Sequence, residues 1–223
     1  MTTSITMATR LKYAARKLKK AAKWHGSGLP VDIKTDDYVY ELLCYFHVAL
    51  AAQKNYSIRL ECGIKKPMEP PEARWPKKPG MKENFSYLKI LDGETNSVLF
   101  QLCPGINVTD KHGKDRAPDI NLLSGAAPTQ PTHNHLLASW DAKHTSGSKA
   151  RLPDTAVSDF IFTYQQLGQP TLPAQWCDNL EGTAFVRSGL FTNGNMSTER
   201  DAALSEAGVS ETCNFPVSPM TRP

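Results

Sequence analysis

Arg116-Ala117-Pro118-Asp119-Ile120-Asn121-Leu122-Leu123 and Leu136-Leu137-Ala138-Ser139-Trp140-Asp141-Ala142-Lys143 are two short apolar segments. Each reads as a buried strand, and each carries an acid for which an apolar strand has no structural use. Alternate side chains of a strand share a face, so Asp141 and Lys143 project together while Ala142 points into the sheet. Two aspartates converging beside Lys143 repel one another, and a hard divalent cation resolves that conflict. Mg²⁺ takes one or two carboxylates, with waters and a phosphate oxygen filling the remaining positions. Such a site can lower the pKa of a water and neutralise charge on a phosphodiester, with Lys143 orienting or deprotonating the nucleophile.

The triplet alone is weak evidence. An acid-x-Lys also occurs at Asp32-Ile33-Lys34, and a second Pro-Asp at Pro153-Asp154. Only Asp119 followed by Asp141-x-Lys143 has both parts in order, 22 residues apart and each on an apolar strand.

The chain has 223 residues, 40% hydrophobic and 22% charged, which suits one domain with a full core and an appended segment. No run of about 18 apolar residues occurs, so no membrane span is expected. The five cysteines are an odd number without a Cys-x-x-Cys pair. They read as buried thiols in a reducing compartment, and a cytoplasmic location is expected.

The charge is unevenly spread. Residues 1–31 hold seven of the 26 Lys/Arg and no acid, leaving 19 basic and 22 acidic residues beyond them. This segment is read as a basic helical arm, with residues 32–223 as the main domain. From Ala8 to Trp24 an apolar face of Leu11, Ala14, Ala15, Leu18, Ala21 and Ala22 lies opposite a stripe of Lys12, Arg16, Lys19, Lys20 and Lys23. Such a stripe suits a phosphate backbone, with affinity that falls with salt; a solvated helix face is the plainer reading. An apolar face made mostly of Ala offers little to a membrane surface.

Thr35 is expected to cap a second helix, with Asp36 and Asp37 in its first turn and an apolar surface running to about Gln53. Glu41 lies on it, either at the edge of the buried face or pointing inward at a metal site. Tyr56–Cys62 reads as a strand, Lys65–Asn84 as a Pro-rich surface loop, and Phe85–Leu91 with Ser97–Cys103 as a hairpin. Beyond the two opening strands, a helix is expected from Pro153-Asp154 to about Leu167. A strand is expected over Ala184–Phe191, a helix capped by Ser197 and ending at Gly208, and a last strand over Thr212–Val217. Strands alternating with helices in this half argue for an α/β sheet.

This arrangement resembles the PD-(D/E)xK nuclease superfamily. There, a helix often bearing an acid precedes a strand hairpin with Pro-Asp and then Asp/Glu-x-Lys. Phe185 to Gly194 followed by Ser197-Thr198-Glu199-Arg200-Asp201-Ala202 is similar to the strand–turn–helix of Mrr-type restriction endonucleases. The resemblance implies a restriction-endonuclease-like α/β fold, a mixed central sheet flanked by helices, with the Pro-rich stretch at about 65–84 as an insertion. It implies metal ligands at Asp119 and Asp141, a catalytic Lys143 and a helix acid at Glu41, with Glu61 as substitute. The expected activity is cleavage of DNA, less often RNA, with Mg²⁺ or Mn²⁺. A catalytically silent nucleic-acid-binding subunit of the same fold, or an RNA-directed nuclease, is the alternative.

Lys114, Arg116, His144, Lys149 and Arg151 are the further candidates for phosphate contacts, and a homodimer would let two sites cut both strands. His133-x-His135 with His144 is a weaker, zinc-like pattern without an obvious fourth ligand. The absence of Gly-x-Ser-x-Gly and of a Gly-Lys-[Ser/Thr] loop argues against a serine hydrolase and a P-loop NTPase. Trp140 and Tyr164 are read as core.

Overall fold

The structure is a computed structural model that describes residues 6–22, 35–63, 73–145, 151–180, 185–195, 198–213 and 215, with the side chains of 198–201 outside the description. Two helices come first, α1 (Met7–Ala21) and α2 (Asp36–Ala52). Strands β1 (Ser57–Glu61), β2 (Tyr87–Leu91) and β3 (Val98–Pro104) follow, then a small ribbon of β4 (Val108–Thr109) and β5 (Asp115–Arg116). The two strands quoted at the outset are β6 (Ile120–Ser124) and β7 (Leu136–Lys143). Then come α3 (Asp154–Gln166), α4 (Ala174–Asp178), β8 (Gly189–Thr192), α5 (Thr198–Glu206) and β9 (Ser210–Thr212).

Seven strands form one mixed sheet in the order β1-β2-β3-β6-β7-β8-β9. Neighbours from β1 to β7 are antiparallel, whereas β8 runs parallel to β7 and β9 parallel to β8. The antiparallel neighbours are joined directly or through excursions, the Pro-rich segment between β1 and β2 and the β4–β5 ribbon between β3 and β6, whereas the parallel neighbours need a crossover, here through α3 and through α5. The fold is α/β, with helices flanking a mixed sheet.

One core lies between α2 and the sheet face bearing Ile58, Leu88, Ile90, Leu102, Ile120, Leu122, Trp140 and Phe191. The helix α1 shares it, burying Leu11, Ala14 and Leu18 completely. The basic segment expected to be an arm is therefore joined to the domain through its helix, because its narrow Ala-rich face fits closely on α2. Smaller clusters form around Cys103, Ile106, Val108 and Leu136, and around Val157, Phe160, Leu190 and Leu204. Trp140 and Tyr164 are core residues, at 0% and 6% exposure.

A buried lysine braces the centre of the antiparallel half. Lys82 Nζ donates to Gln101 Oε1 at 2.7 Å and to the Ala127 carbonyl at 2.9 Å, and lies over the Tyr87 ring at 5.2 Å. Its partners are neutral, and burial lowers its pKa.

Several expectations shift. Thr35 is the N-cap residue of α2 but its side chain makes no capping bond. The strand expected over Ala184–Phe191 is confined to Gly189–Thr192. The carbonyls of Phe185 and Arg187 instead accept from the indole nitrogens of Trp176 and Trp140, at 3.0 and 2.6 Å, so that stretch is held by side chains rather than by a ladder. Of the strand expected over Thr212–Val217, residues 214, 216 and 217 lie outside the description; among the described residues the last strand is Ser210–Thr212. It pairs closely because a Cβ at Gly189 would lie 2.2 Å from the Ser210 carbonyl oxygen, which leaves glycine alone able to sit there. The helix α4, between Pro173 and the Phe185 region, was not foreseen. Ser197 and Asp32-Ile33-Lys34 lie outside the described residues.

Candidate active site

Asp119 stands one residue before β6, and the antiparallel register Ile120↔Trp140 brings it beside Asp141 on β7. Each carboxylate is tied to the backbone of the facing segment. Asp119 Oδ2 accepts from the Ala142 amide at 2.8 Å, and Asp141 Oδ1 accepts from the Asp119 amide at 3.2 Å. The approach to the strand is fixed as well. The Gly105 amide donates to the Asp119 carbonyl at 2.8 Å, and the fully buried Asn121 donates through Nδ2 to the Pro118 carbonyl at 3.0 Å. Lys143 Nζ lies between the pair, 3.2 Å from Asp141 Oδ2 and 3.8 Å from Asp119 Oδ2.

Glu41 reaches the same cluster from α2. Burial chiefly lifts its carboxyl, to about 7; Lys143 opposes the shift, and Asp141 and Asp37 add to it. Burial, followed by repulsion from Asp141, also holds the Asp119 carboxyl well above the ordinary range. Burial works against the Lys143 ammonium, but Asp141 and Asp119 outweigh it and raise its pKa. Three carboxyl groups gather near one ammonium in a recessed cleft, and the raised pKa values of Glu41 and Asp119 show that they resist ionising together. Glu41 and Asp119 share a pocket of about 150 Å³ with Tyr38, Pro104 and residues 76–79.

No family model, curated protein or solved structure matches this chain. The site therefore stands on its own geometry.

The structure brings together Glu41, Asp119, Asp141 and Lys143. Glu61 is elsewhere: it pairs with Lys89 at 2.7 Å on β1, three strands away from β6. Among the described residues no three His, Cys, Asp or Glu side chains gather to hold a metal ion as they stand. Two carboxylates are enough for Mg²⁺, which prefers to keep several waters. The Asp119–Asp141 pair fits that requirement, with Glu41 across the pocket.

The predicted nucleic-acid contacts divide. On α1, Lys12, Arg16 and Lys20 are exposed and Lys19 is half-buried; Lys23 lies outside the described residues. Arg10 acts on His47, and Ala21 and Ala22 line one groove with Gln53 and Tyr56, which places α1 beside the C-terminal half of α2. None of its cations lines the pocket. Arg116 is committed to structure, with Nε 2.9 Å from Asp110 Oδ2 and its guanidinium over Phe162 at 5.4 Å. Lys114 and Arg151 are exposed, and Lys149 lies outside the described residues.

His144 adjoins the site, with Nδ1 3.2 Å from Asp37 Oδ1 and its ring 5.8 Å from that of Tyr40. It cannot join His133 and His135 around a zinc ion, because those two stand at the opposite end of β7, about 25 Å away at roughly 3.3 Å per residue. His135 Nδ1 instead accepts from the Thr132 amide at 3.1 Å. Sequence reasoning missed Tyr38, Lys77 and Lys78 as neighbours of the site. The available signal was Trp75, a large apolar residue inside a Pro-rich run, which marks a loop anchored in a core.

Proposed function

We propose that the chain is a metal-dependent endonuclease of the PD-(D/E)xK type, hydrolysing phosphodiester bonds of DNA. The observation that carries this reading is the Asp119–Asp141 pair bridged by Lys143 at the open end of β6 and β7. The order of elements supports it: an acid-bearing helix, an antiparallel run with Pro118-Asp119 and Asp141-x-Lys143, then two parallel crossovers. That is the order implied by a restriction-endonuclease-like core.

Asp119 and Asp141 would hold Mg²⁺, or Mn²⁺ in its place. When bound, the cation neutralises charge on the phosphodiester and favours ionisation of the attacking water. The reciprocal amide bonds fix both carboxylates before substrate arrives, so little reorganisation is needed at the moment of reaction. With its pKa raised, Lys143 is an ammonium at neutral pH. It acts as a donor that orients the water and stabilises charge on the phosphate, rather than as a base. Glu41 adds a third carboxyl group across the cleft, one that burial keeps partly protonated near neutral pH.

The test is cleavage of plasmid and single-stranded DNA with Mg²⁺ and Mn²⁺, wild type beside Asp141→Ala and Lys143→Ala. Each substitution is expected to lower the rate by about a hundredfold or more. Activity surviving both would remove the site assignment. Binding without cleavage by the wild type in both metals would mark a silent DNA-binding subunit, and a preference for RNA substrates would redirect the activity.

A further inference from the structure

We infer that Lys77 and Lys78, together with the Tyr38 hydroxyl, form a contact site for the DNA backbone phosphate next to the one being cleaved. This rests on the nuclease reading and gives the Pro-rich insertion a role in holding the strand.

The segment is built as a fixed rim rather than a loose loop. Trp75, at 6% exposure, packs against the rings of Tyr45 and Phe46 on α2, with centroids 5.6 and 5.2 Å away. On one side of the lysines, Arg74 exchanges bonds with Ser86, its carbonyl accepting at 2.7 Å and its amide donating to Oγ at 2.8 Å. On the other, the Gly80 carbonyl accepts from the Asn107 amide at 2.8 Å, and Gly80 bridges to Ile106. Between these ties, Pro76 lies against Gly105, where an added Cβ would come within 3.2 Å of its ring. The prolines on either side of the lysines limit the backbone further.

Lys77 and Lys78 are exposed, line the pocket that contains Glu41 and Asp119, and form no ion pair among the described residues. Exposed cations on a fixed rim, unpaired with the acids of the same pocket, remain open to an anion that enters it. Tyr38, in the same pocket, has a buried hydroxyl without a hydrogen-bond partner. Such a group is costly to leave unsatisfied, and a phosphate oxygen would satisfy it. The pocket, about 150 Å³, falls below the roughly 300–1,000 Å³ typical of sites that enclose a whole small molecule. A short length of polymer backbone fits it better: one phosphate reaches the Asp119–Asp141 pair and its neighbour meets the rim.

The experiment measures binding of a short labelled DNA duplex to the full chain in EDTA, where cleavage is off, across a range of salt concentrations. For Lys77→Ala/Lys78→Ala we expect weaker binding, with the slope of log affinity against log salt shallower by about 1 per lysine removed. Tyr38→Phe, which keeps the ring, should weaken binding about two- to tenfold with the slope unchanged. Lys54→Ala, an exposed charge beyond the end of α2, should leave the slope as it was. An unchanged affinity and slope in the double-lysine variant, or a wild type that does not bind DNA, would overturn the inference. Should the lysine variant lose binding while the wild type fails to cut DNA with Mg²⁺ or Mn²⁺, the contact site stands and the catalytic reading falls.

Discussion

Lys82 and Lys143 place an ammonium in opposite settings. Lys82 is 3% exposed and meets an amide oxygen, a carbonyl and a ring, so burial lowers its pKa. Lys143 is more open, yet two carboxylates raise its pKa despite the cost of desolvation. The first ties loops to β3 and is shut away from any ligand. The second belongs to a cluster with more acids than bases, at a pocket's edge. Burial of a charged residue is therefore not the mark of a site; carboxyl groups crowded in surplus at the edge of a pocket, with their pKa values pushed up, are the better mark.

The contrast is sharpened most by Lys82→Ala. It leaves Gln101 Oε1 without its donor and opens space beneath Tyr87, at an expected cost of about 2–4 kcal/mol in denaturant unfolding. DNA cleavage per folded molecule should stay at the wild-type level. A loss of cleavage without a loss of stability would erase the distinction between the two lysines.

His47 extends the contrast to a third group that is buried without a carboxylate. It faces Arg10 on α1 and the Phe215 ring at 5.5 Å, and burial, with Arg10 adding to it, lowers its pKa to about 4. The unfolded chain, with an ordinary imidazole near 6.5, binds more protons between those two values. This contribution is therefore complete above about pH 6.5 and is lost as the pH falls toward 4, by on the order of 3 kcal/mol. Glu41 titrates over part of the same window with the opposite sign, since its carboxyl is held up. The measurement is thus the difference between wild type and His47→Gln in denaturant midpoint from pH 7 to 4.5. A difference that does not change with pH would mean that His47 takes its proton in the folded state as readily as in the unfolded chain.

The smallest effect is expected from the acid that was the alternative to Glu41. Glu61 and Lys89 keep 32% and 22% of their side chains exposed, and Glu61→Gln should change stability by less than about 1 kcal/mol. Cleavage should be unaffected, and a large loss would return Glu61 to the site.

The acids of β6 and β7 were legible because charge on an apolar, alternating segment violates the pattern around it. The same alternation placed β1 and the β2–β3 hairpin, and apolar residues at helical spacing after Pro153-Asp154 placed α3. Apolar composition misled at Phe185 and Val186, where the stretch looks like a strand while two tryptophans take the carbonyls of Phe185 and Arg187. The position of β9 was hidden because Gly189 sets it by a contact across the sheet, which no local pattern records. Lys77 and Lys78 read as ordinary loop charges; only the docking of Trp75 on α2 brings their segment to the rim of the pocket that Asp119 lines.

Arg59 has a bearing on assembly. It is exposed at the middle of β1, the outer strand of the antiparallel half. If two copies met along that edge in a two-fold antiparallel register centred there, Arg59 would face its own image. Like charges directly opposite across a strand pair are destabilising, and a charged edge resists template-like growth. A second copy is thus turned away from extending the sheet through β1, and a symmetric pair has to be sought through another face.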